Sequence, residues 1–442
     1  MERSDILIIG GGPGGYEIAA RKAAEGCSVT LIEQSDLGGT CLNRGCIPTK
    51  CLCATARTAL EIREAAKFGI DTGEVSVDHA RAKARMHGIV DGLRNDVTQA
   101  LRMVKVVKAT ARILPDGTIE AGGELYAADK VLIATGSAPA RLRVEGAELA
   151  ITSDELLSEG ATLPASVVII GGGVIGIEFA SILNALGTEV TVVEFCREIL
   201  PQFDPDVAKR LRLALQGRGV RFATGASVKS IRAGMEVVYD TRRGEATATA
   251  ETVLMATGRR PIVPDGTAEA GITLSEHGFI EVDERMRTSR EGFYAAGDVT
   301  GICMLAHAAS AQAEIALSDN AEIDLDIIPS AVFSTPEAAM VGLTADRCAA
   351  IGLEHAVGRC NYASNGKALA DGATGLVKIV YNPRTRLILG VHVLGEHASD
   401  IVAEAAALMY GMVSVDDLAS GLIHSHPTLS ELLQTAARNA TV

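Results

Sequence analysis

The feature that most constrains this chain is a strand, turn, helix and strand pattern that occurs twice. In each copy an apolar strand leads into a glycine-rich turn, a helix follows, and a second strand ends on a glutamate. Glycines at this spacing permit a tight turn and a close approach of the backbone to a pyrophosphate. The two copies have equal spacing from first glycine to glutamate, which indicates one repeated architecture. Their residues are Gly10, Gly12, Gly15 and Glu33 in the first copy, and Gly171, Gly173, Gly176 and Glu194 in the second.

The rest of the chain can be arranged around these two copies. Matching late strands occur at 131–136 and 253–258, and each follows a stretch of alternating polarity, at 104–127 and 227–250, that predicts an antiparallel meander. A mostly polar helix at 78–103 is expected on the surface. From residue 278 the chain returns to the first unit through 293–298 and a helix after Ala306.

We therefore predict an α/β fold with two Rossmann-like dinucleotide-binding domains, each a three-layer unit of parallel sheet plus antiparallel meander. The first domain takes residues 1–149 and the return segment 266–327, and the second takes 150–265. Residues 328–442 carry no nucleotide motif, but strands near 375–381 and 387–394 and helices at 399–410 and from 429 indicate an α+β domain. A chain of 442 residues is long enough for about two to four domains.

Charge and cysteine content limit the partners and the compartment. The formal charge of −14, without a basic run, argues against nucleic acid or an anionic membrane as a partner. Nucleotide phosphates must then be held by backbone amides and helix ends. Nine scattered cysteines and the lack of a membrane-spanning apolar run predict a cytoplasmic protein, and the strand that starts at residue 5 predicts that no signal peptide is present.

Two cysteines, Cys41 and Cys46, are five positions apart just after the first copy. In an ideal helix their Cα atoms would be roughly 8.7 Å apart, beyond the limit of about 7 Å for a disulfide. A bridge therefore requires a distorted helix, and Gly45 and Pro48 are expected to distort it, the proline by removing a ladder hydrogen bond. Spacing alone does not distinguish a redox pair from two ordinary thiols.

Longer motifs add a family resemblance. The run Gly-Gly-Thr-Cys-Leu-Asn-Arg-Gly-Cys-Ile-Pro-Thr-Lys (38–50) resembles the redox-active signature of the class I pyridine nucleotide-disulfide oxidoreductases, and its 42–48 form is most similar to that of the dihydrolipoamide dehydrogenases. The runs Ala-Gly-Asp (296–298), Met-Leu-Ala-His (304–307) and His-Ser-His-Pro-Thr-Leu-Ser-Glu (424–431) are similar to family motifs in the same order. The resemblance covers essentially the whole chain.

The resemblance implies FAD in the first site and NAD in the second, with no metal. Glu178 is expected in the first turn of its helix. Lys50 would lie beside the flavin and pair with Glu178, although a solvated lysine and a glutamate favoured by the helix dipole are the alternatives. Asp298 would bind a sugar or ribityl hydroxyl, or else cap a turn. The implied FAD residues are Gly10, Gly12, Gly15, Glu33, Lys50, Gly136, Asp298 and Ala306, and the implied NAD residues are Gly171, Gly173, Gly176, Glu178, Glu194 and Gly258.

The same resemblance implies the catalytic residues and the partners. Cys41 would be the interchange thiol, Cys46 the flavin-side thiol of a Cys41–Cys46 disulfide, and His426, oriented by Glu431, the base. The family places this histidine in the partner subunit's active site, so residues 328–442 would form the dimerisation domain of a homodimer. The substrate would be dihydrolipoamide on a lipoyl-bearing protein, from either a 2-oxo acid dehydrogenase complex or the glycine cleavage system.

Other activities on this scaffold remain as alternatives. The first is an NAD(P)H-dependent disulfide reductase of the glutathione-reductase type. Glu194 argues against NADP, because a carboxylate suits the free 2′-hydroxyl of NAD and repels a 2′-phosphate. Mercuric reductases and large thioredoxin reductases need a cysteine pair near the C-terminus, and no cysteine follows Cys360. A flavin-binding subunit without turnover would not need Cys41, Cys46, His426 and Glu431 together.

Overall fold

The computed structural model describes residues 1–318 and 323–440. The N-terminal unit is an α/β layer structure on one sheet of order β3-β2-β1-β6-β5-β4. Strands β3, β2, β1 and β6 run parallel, and the sheet continues with β5 antiparallel to β6 and β4 antiparallel to β5. The elements are β1 (Glu2–Ile9), α1 (Pro13–Ala24), β2 (Val29–Glu33), α2 (Gly39–Arg44), α3 (Cys46–Arg63), α4 (His79–Ala100), β3 (Lys105–Lys108), β4 (Ala111–Ile113), β5 (Ile119–Ala121), β6 (Glu124–Ile133) and β7 (Ser137–Pro139).

The predicted meander at 104–127 is wrong at its first strand. Strand β3 pairs parallel to β2, with Lys105 opposite Thr30, and so belongs to the parallel part of the sheet. Strand β6 is also one continuous strand that joins the end of the meander to the predicted late strand. Alternating polarity identifies an extended strand with one buried face, but it does not encode the direction of the neighbouring strand.

The second unit repeats the architecture, as predicted. Its parallel sheet has the order β10-β9-β8-β14, and the predicted meander at 227–250 forms the antiparallel sheet β11-β12-β13. Strand β15 pairs antiparallel with β7 and so forms a ribbon between the two units. The elements are α5 (Ser153–Leu157), β8 (Ser166–Ile170), α6 (Val174–Ala185), β9 (Glu189–Glu194), α7 (Pro205–Gly217), β10 (Arg221–Thr224), β11 (Ser227–Arg232), β12 (Glu236–Thr241), β13 (Gly244–Thr249), β14 (Thr252–Met255) and β15 (Arg259–Pro261).

The chain then returns to the first sheet, as predicted. Strand β16 (Phe293–Ala295) pairs parallel with β6, and helix α8 (Ala306–Leu317) packs against α1. Non-consecutive strands therefore complete the first unit, and residues almost 300 positions apart meet there, as in the ion pair of Arg21 with Glu314.

The C-terminal segment is an α+β unit on an antiparallel sheet of order β17-β18-β21-β20-β19. The two predicted strands are neighbouring interior strands of this sheet, and the predicted helices near 399–410 and from 429 are also present. The remaining strands and the short helices were not predicted. The elements are β17 (Ser330–Val332), β18 (Ala338–Gly342), α9 (Ala345–Ala350), β19 (Ala356–Asn361), α10 (Gly366–Asp371), β20 (Leu376–Tyr381), β21 (Ile388–Leu394), α11 (Ala398–Tyr410), α12 (Val415–Ser420) and α13 (Glu431–Ala440).

One hydrophobic cluster connects the cysteine-bearing helix to the second unit. Leu52 and Ala56 of α3 are buried in the same cluster as Ile177 and Phe179 of α6. Burying these side chains contributes roughly 1.5–3 kcal/mol for each large one, so the contact holds the two helices together. The contact brings the polar side chains at the starts of α3 and α6 to one place.

Two features are absent from the described residues. Within residues 1–318 and 323–440, no helix combines the length and the apolar character that a membrane crossing requires. In the same ranges, no three His, Cys, Asp or Glu side chains are grouped so that they could hold a metal ion. The cytoplasmic location stays a prediction from the sequence.

Candidate active site

The two cysteines lie on separate helices. Cys41 is in α2, Cys46 is the first residue of α3, and Gly45 between them interrupts the helix at φ −141° and ψ −110°. A Cβ atom at Gly45 would lie 2.9 Å from the carbonyl oxygen of Thr40, closer than real side chains allow. The predicted distortion is therefore confirmed, and Gly45 is its source.

Pro48 does not contribute to the distortion. It is the third residue of α3, and the first ladder hydrogen bond of this helix runs from the amide of Thr49 to the carbonyl of Gly45, at 3.1 Å. The first N–H groups of any helix lack a partner within the helix, so a proline there removes no bond. The expectation that Pro48 deletes a ladder bond is wrong for this reason.

Both cysteines are thiols in the structure and hydrogen-bond to each other, which is the reduced form of the predicted pair. The hydrogen bond from Cys41 lowers the pKa of Cys46 to about 7, against the effect of burial and with help from the charge of Lys50. The same hydrogen bond and burial raise the pKa of Cys41. Cys46 is thus the member of the pair that carries negative charge first.

The low pKa of Cys46 predicts how the reduced pair reacts with an alkylating agent. Only the thiolate is nucleophilic, so alkylation should rise with pH through a midpoint near pH 7. An ordinary cysteine would give a midpoint of about 8.5. The rate is measured with iodoacetamide on the reduced holoenzyme from about pH 5 to about pH 9, with the modified peptide identified by mass spectrometry.

A variant tests whether the charge of Lys50 contributes to the low pKa of Cys46. Lys50→Met removes the nearby cation, so the midpoint should move to higher pH. A midpoint at the ordinary cysteine value in the unmodified protein would contradict the assignment of Cys46 as the stabilised thiolate.

Lys50 and Glu178 form an ion pair beside the thiols. The ammonium group of Lys50 lies 3.0 and 3.2 Å from the two carboxylate oxygens of Glu178. It also lies 4.4 Å from the centre of the Phe333 ring. Burial lowers the pKa of Lys50 and the Glu178 carboxylate raises it, with a net upward shift. A lysine held as a cation at this point stabilises negative charge that develops near it.

Glu178 is not in the first turn of its helix, contrary to the sequence-based expectation. It is the fifth residue of α6, only 5% exposed, and its Oε1 atom accepts a hydrogen bond of 2.9 Å from the amide of Phe333. Its buried charge is therefore balanced by Lys50 and this amide rather than by the end of the helix. Phe333 was missed by sequence reasoning, since it lies outside every motif in the segment between β17 and β18.

A cavity of about 840 Å³ collects most of the predicted flavin-site residues. This volume is in the range of cofactor and ligand sites, about 300–1,000 Å³. The cysteines and the lysine face the same space as the first glycine turn and the carboxylate of Asp298. The predicted residues that line it are Gly10, Gly12, Glu33, Cys41, Cys46, Lys50, Gly136, Glu178, Asp298 and Ala306.

The first glycine turn fits a dinucleotide pyrophosphate. Gly12 precedes α1 without a capping side chain, no acidic residue occupies the first turn, and Gly12, Pro13 and Gly14 line the cavity. Uncapped amides and the positive end of a helix dipole are suited to a phosphate. Gly15 does not line the cavity. A Cβ atom there would lie 1.9 Å from the carbonyl oxygen of Gly10, so Gly15 serves the close packing of helix and turn.

Glu33 is fixed by the turn that it faces. Its Oε2 atom accepts a hydrogen bond of 2.6 Å from the amide of Gly11, and its Oε1 atom accepts one of 2.7 Å from Ser35. Each carboxylate oxygen has a further lone pair available to a ribose hydroxyl. Glu33 lies at the cavity wall, a position that suits binding of the FAD ribose, as the resemblance implies.

The second glycine turn has the same geometry. A Cβ atom on Gly171 would lie 2.3 Å from the carbonyl oxygen of Ala256, and one on Gly176 would lie 2.0 Å from that of Gly171. Gly173 precedes α6 without a capping side chain, and Gly258 has φ +104°. These glycines and Glu194 do not line the large cavity, so the structure separates them from the thiols.

Glu194 holds the second turn as Glu33 holds the first. Its carboxylate accepts hydrogen bonds from the amides of Gly172 and Cys196, the latter at 2.6 Å. The residue is buried, and its negative charge lies where a nucleotide ribose would bind at this turn. The 2′-phosphate of NADP would be repelled by this negative charge.

Asp298 and Ala306 enter the cavity from the return segment. Asp298 lies in a short 3₁₀ turn (Gly297–Thr300) directly after β16, and the hydroxyl of Ser137 donates a hydrogen bond to its Oδ2 atom. Ala306 is the first residue of α8. Both residues lie where the strand ends of a parallel sheet open into a crevice, the usual place for a ligand in such folds.

His426 and Glu431 form a pair at the surface. The Nδ1 atom of His426 lies 3.0 Å from Oε1 of Glu431, and Oε2 accepts a hydrogen bond of 2.8 Å from the amide of Thr428. The Thr428 amide and then His426 lower the pKa of Glu431, so the carboxylate is ionised. An ionised carboxylate can only accept hydrogen bonds, so the proton of the His426 imidazole lies on Nδ1. The Nε2 atom then carries no proton and can act as a base.

The structure does not bring His426 to the cysteines of its own chain. Its side chain is 79% exposed and it does not line the cavity that holds Cys41 and Cys46. His424, which does not align with the family's base, forms a separate and more buried pair with Glu404, at 2.7 Å between Nε2 and Oε1.

Comparisons with known proteins cover nearly the whole chain. A model of the pyridine nucleotide-disulphide oxidoreductases matches residues 4–313, and one of the dimerisation domain of these proteins matches residues 328–437. A dihydrolipoyl dehydrogenase of Thermus scotoductus is 38% identical, over 99% of this chain and 97% of its own. One of Bacillus subtilis is 37% identical, over 98% and 97%.

A solved structure gives the same result at the level of the fold. The Cu(II) complex of the HOCl-induced flavoprotein disulfide reductase RclA from Escherichia coli superimposes with a TM-score of 0.87. Its sequence is 27% identical, and the superposition covers 99% of both chains. Proteins of the matched family use FAD and NAD(H). The chain therefore belongs to the pyridine nucleotide-disulphide oxidoreductase family and ends in the dimerisation domain of that family.

Proposed function

We propose that this oxidoreductase oxidises protein-bound dihydrolipoamide to lipoamide, with FAD and NAD⁺, through a redox disulfide between Cys41 and Cys46. The observation that carries the proposal is the hydrogen-bonded thiol pair, in one cavity with Lys50 and the first glycine turn. The dihydrolipoyl dehydrogenases of Thermus scotoductus and Bacillus subtilis, which match over nearly the whole chain, support the choice of substrate.

In the proposed reaction, the disulfide passes from the two cysteines to the substrate by thiol–disulfide exchange. In the oxidised chain, one substrate thiolate attacks Sγ of Cys41, and the bond to Cys46 breaks as a mixed disulfide forms. Cys46 is the better leaving group because its pKa is the lower of the two. The second substrate thiol then attacks the mixed disulfide, releases lipoamide and leaves both cysteines reduced. When bound, FAD would supply the transfer to NAD⁺ of the two electrons that the cysteines gain in this exchange.

Two pairs of side chains support this exchange. Lys50, held by Glu178, places a cation beside the Cys46 thiolate. Nε2 of His426 accepts the proton of the substrate thiol, and Glu431 holds the imidazole in the tautomer that can do so. General-base help of this kind contributes about 10²–10⁴-fold to a rate.

His426 acts across a subunit boundary in a homodimer. It is exposed and lies outside the cavity of its own chain, in the segment that matches the dimerisation domain. A second copy of the chain can place this base next to Cys41. The lipoyl-bearing partner belongs to a 2-oxo acid dehydrogenase complex or to the glycine cleavage system.

Paired assays test the proposal. Lipoamide with NADH is expected to give a kcat/KM at least about 100-fold above that of lipoamide with NADPH, because the carboxylate of Glu194 repels the 2′-phosphate. Glutathione disulfide should give little turnover with either nucleotide. The likeness to RclA makes a disulfide reductase with another substrate the second candidate. Fast reduction of glutathione disulfide with NADPH would favour that candidate over dihydrolipoamide oxidation.

A further inference from the structure

A chain of hydrogen bonds begins at Arg259, in the ribbon that joins the two nucleotide-binding units. The guanidinium group donates from Nε to the hydroxyl of Ser137 and from Nη2 to the carbonyl oxygen of the same residue, both at 2.7 Å. The side chain is only 13% exposed. Two bonds to one residue fix the plane of the guanidinium group, because its donors have a rigid fork geometry.

Ser137 connects Arg259 to Asp298 by hydrogen bonds. The hydroxyl of Ser137 accepts from Arg259, so its single proton is free to be donated to Oδ2 of Asp298. The Nε atom of Arg259 is also 3.7 Å from the same Oδ2 atom. Among the described residues, Oδ1 of Asp298 receives no hydrogen bond. All three residues line the large cavity.

We propose that Arg259 is a positioning residue for flavin binding. Through Ser137 it holds the Asp298 carboxylate in one rotation, with Oδ2 engaged and Oδ1 left for a hydroxyl of the flavin's sugar-alcohol chain. A carboxylate fixed before the ligand arrives loses less conformational entropy on binding. The inference depends on the flavin site and not on the identity of the disulfide substrate.

The position of Arg259 in the sequence does not suggest a role in the flavin site. It follows Gly258, which the sequence assigns to the second nucleotide site, yet its side chain contacts the wall of the first. The next residue, Arg260, is exposed, because successive side chains of a strand point to opposite sides. The chain thus offers a matched control, with the same charge and the same strand but without the contacts.

The test compares flavin affinity in variants purified as holoenzymes. The flavin dissociation constant is measured from free flavin fluorescence after equilibrium ultrafiltration. Arg259→Met is expected to raise it by about 10-fold, the size expected for losing a hydrogen bond to a charged group. Arg259→Lys keeps the cation and should recover part of the loss, whereas Arg260→Met should leave the constant unchanged.

A double variant tests whether Arg259 acts through Ser137. If it does, Arg259→Met combined with Ser137→Ala should bind flavin no more weakly than Ser137→Ala alone. Fully additive losses would show that the two residues act separately and would overturn the proposal. Flavin binding by Arg259→Met equal to that of Arg260→Met would do the same.

Folding is followed separately by thermal unfolding of each flavin-free protein. A loss of flavin affinity without a lower unfolding temperature supports positioning. An equal fall in unfolding temperature for Arg259→Met and Arg259→Lys, with equal flavin binding in both, would assign the residue to folding instead.

Discussion

Replacing Cys46 with serine is expected to lower dihydrolipoamide oxidation by more than about 10³-fold, while the purified protein stays yellow. A serine oxygen cannot form the bond that Cys41 must make and break, so the substrate has no disulfide to reduce. The cavity wall is otherwise unchanged, because serine and cysteine differ by one atom. Turnover with lipoamide and the visible absorption spectrum are the two measurements.

Cys51→Ser is the matched control for this variant. Cys51 is buried on the same helix, α3, but does not line the cavity. Its replacement should leave lipoamide turnover close to that of the unmodified protein. Turnover by Cys46→Ser within about tenfold of the unmodified protein would show that the thiol pair is not the route of the electrons.

Replacing His426 with glutamine should lower turnover by about 10²–10⁴-fold, with little effect on flavin binding. Glutamine cannot accept the proton of the substrate thiol. The deficit should shrink as the pH rises, because the substrate thiols then ionise without a base. His277→Gln is the control, since His277 is equally exposed, at 77%, and also lies beside a glutamate, Glu276. An unchanged pH profile for His426→Gln would contradict the assignment of the base.

Hybrid dimers decide which subunit supplies the base. A heterodimer of one Cys46→Ser subunit and one His426→Gln subunit is isolated with two different affinity tags. If His426 acts on the partner's thiols, one of its two sites has both residues intact, and the hybrid should have about half of the unmodified activity. If His426 acts within its own chain, neither site is complete and the hybrid should be inactive.

Local sequence was sufficient for the two nucleotide-binding units. Glycine at positions such as 10 and 171 has positive φ next to a carbonyl group, where another residue would clash. These requirements are local, so they can be read from spacing within a few residues. The same holds for the interruption of the cysteine helix at Gly45.

Predictions failed where an element's neighbours, rather than its own pattern, decide the outcome. The strand Lys105–Lys108 alternates like a meander strand, but the exposed edge of Val29–Glu33 was available for parallel pairing. The sequence predicts Glu178 in a helix's first turn, but its buried charge is balanced by Lys50, 128 positions away along the chain. Ser137 and Arg259 carry no motif that would have connected them to Asp298.

The sequence by itself determined the repeated dinucleotide-binding turns, the thiol pair and the family, because these depend on backbone sterics and on residues close together in the chain. Only the tertiary structure decided which distant charges meet. Packing of Cys46–Arg63 against Val174–Ala185 brings Lys50 to Glu178, and the ribbon between the two units brings Arg259 to Asp298. Such contacts result from the burial of apolar surface between elements far apart in the chain, and no local pattern records them.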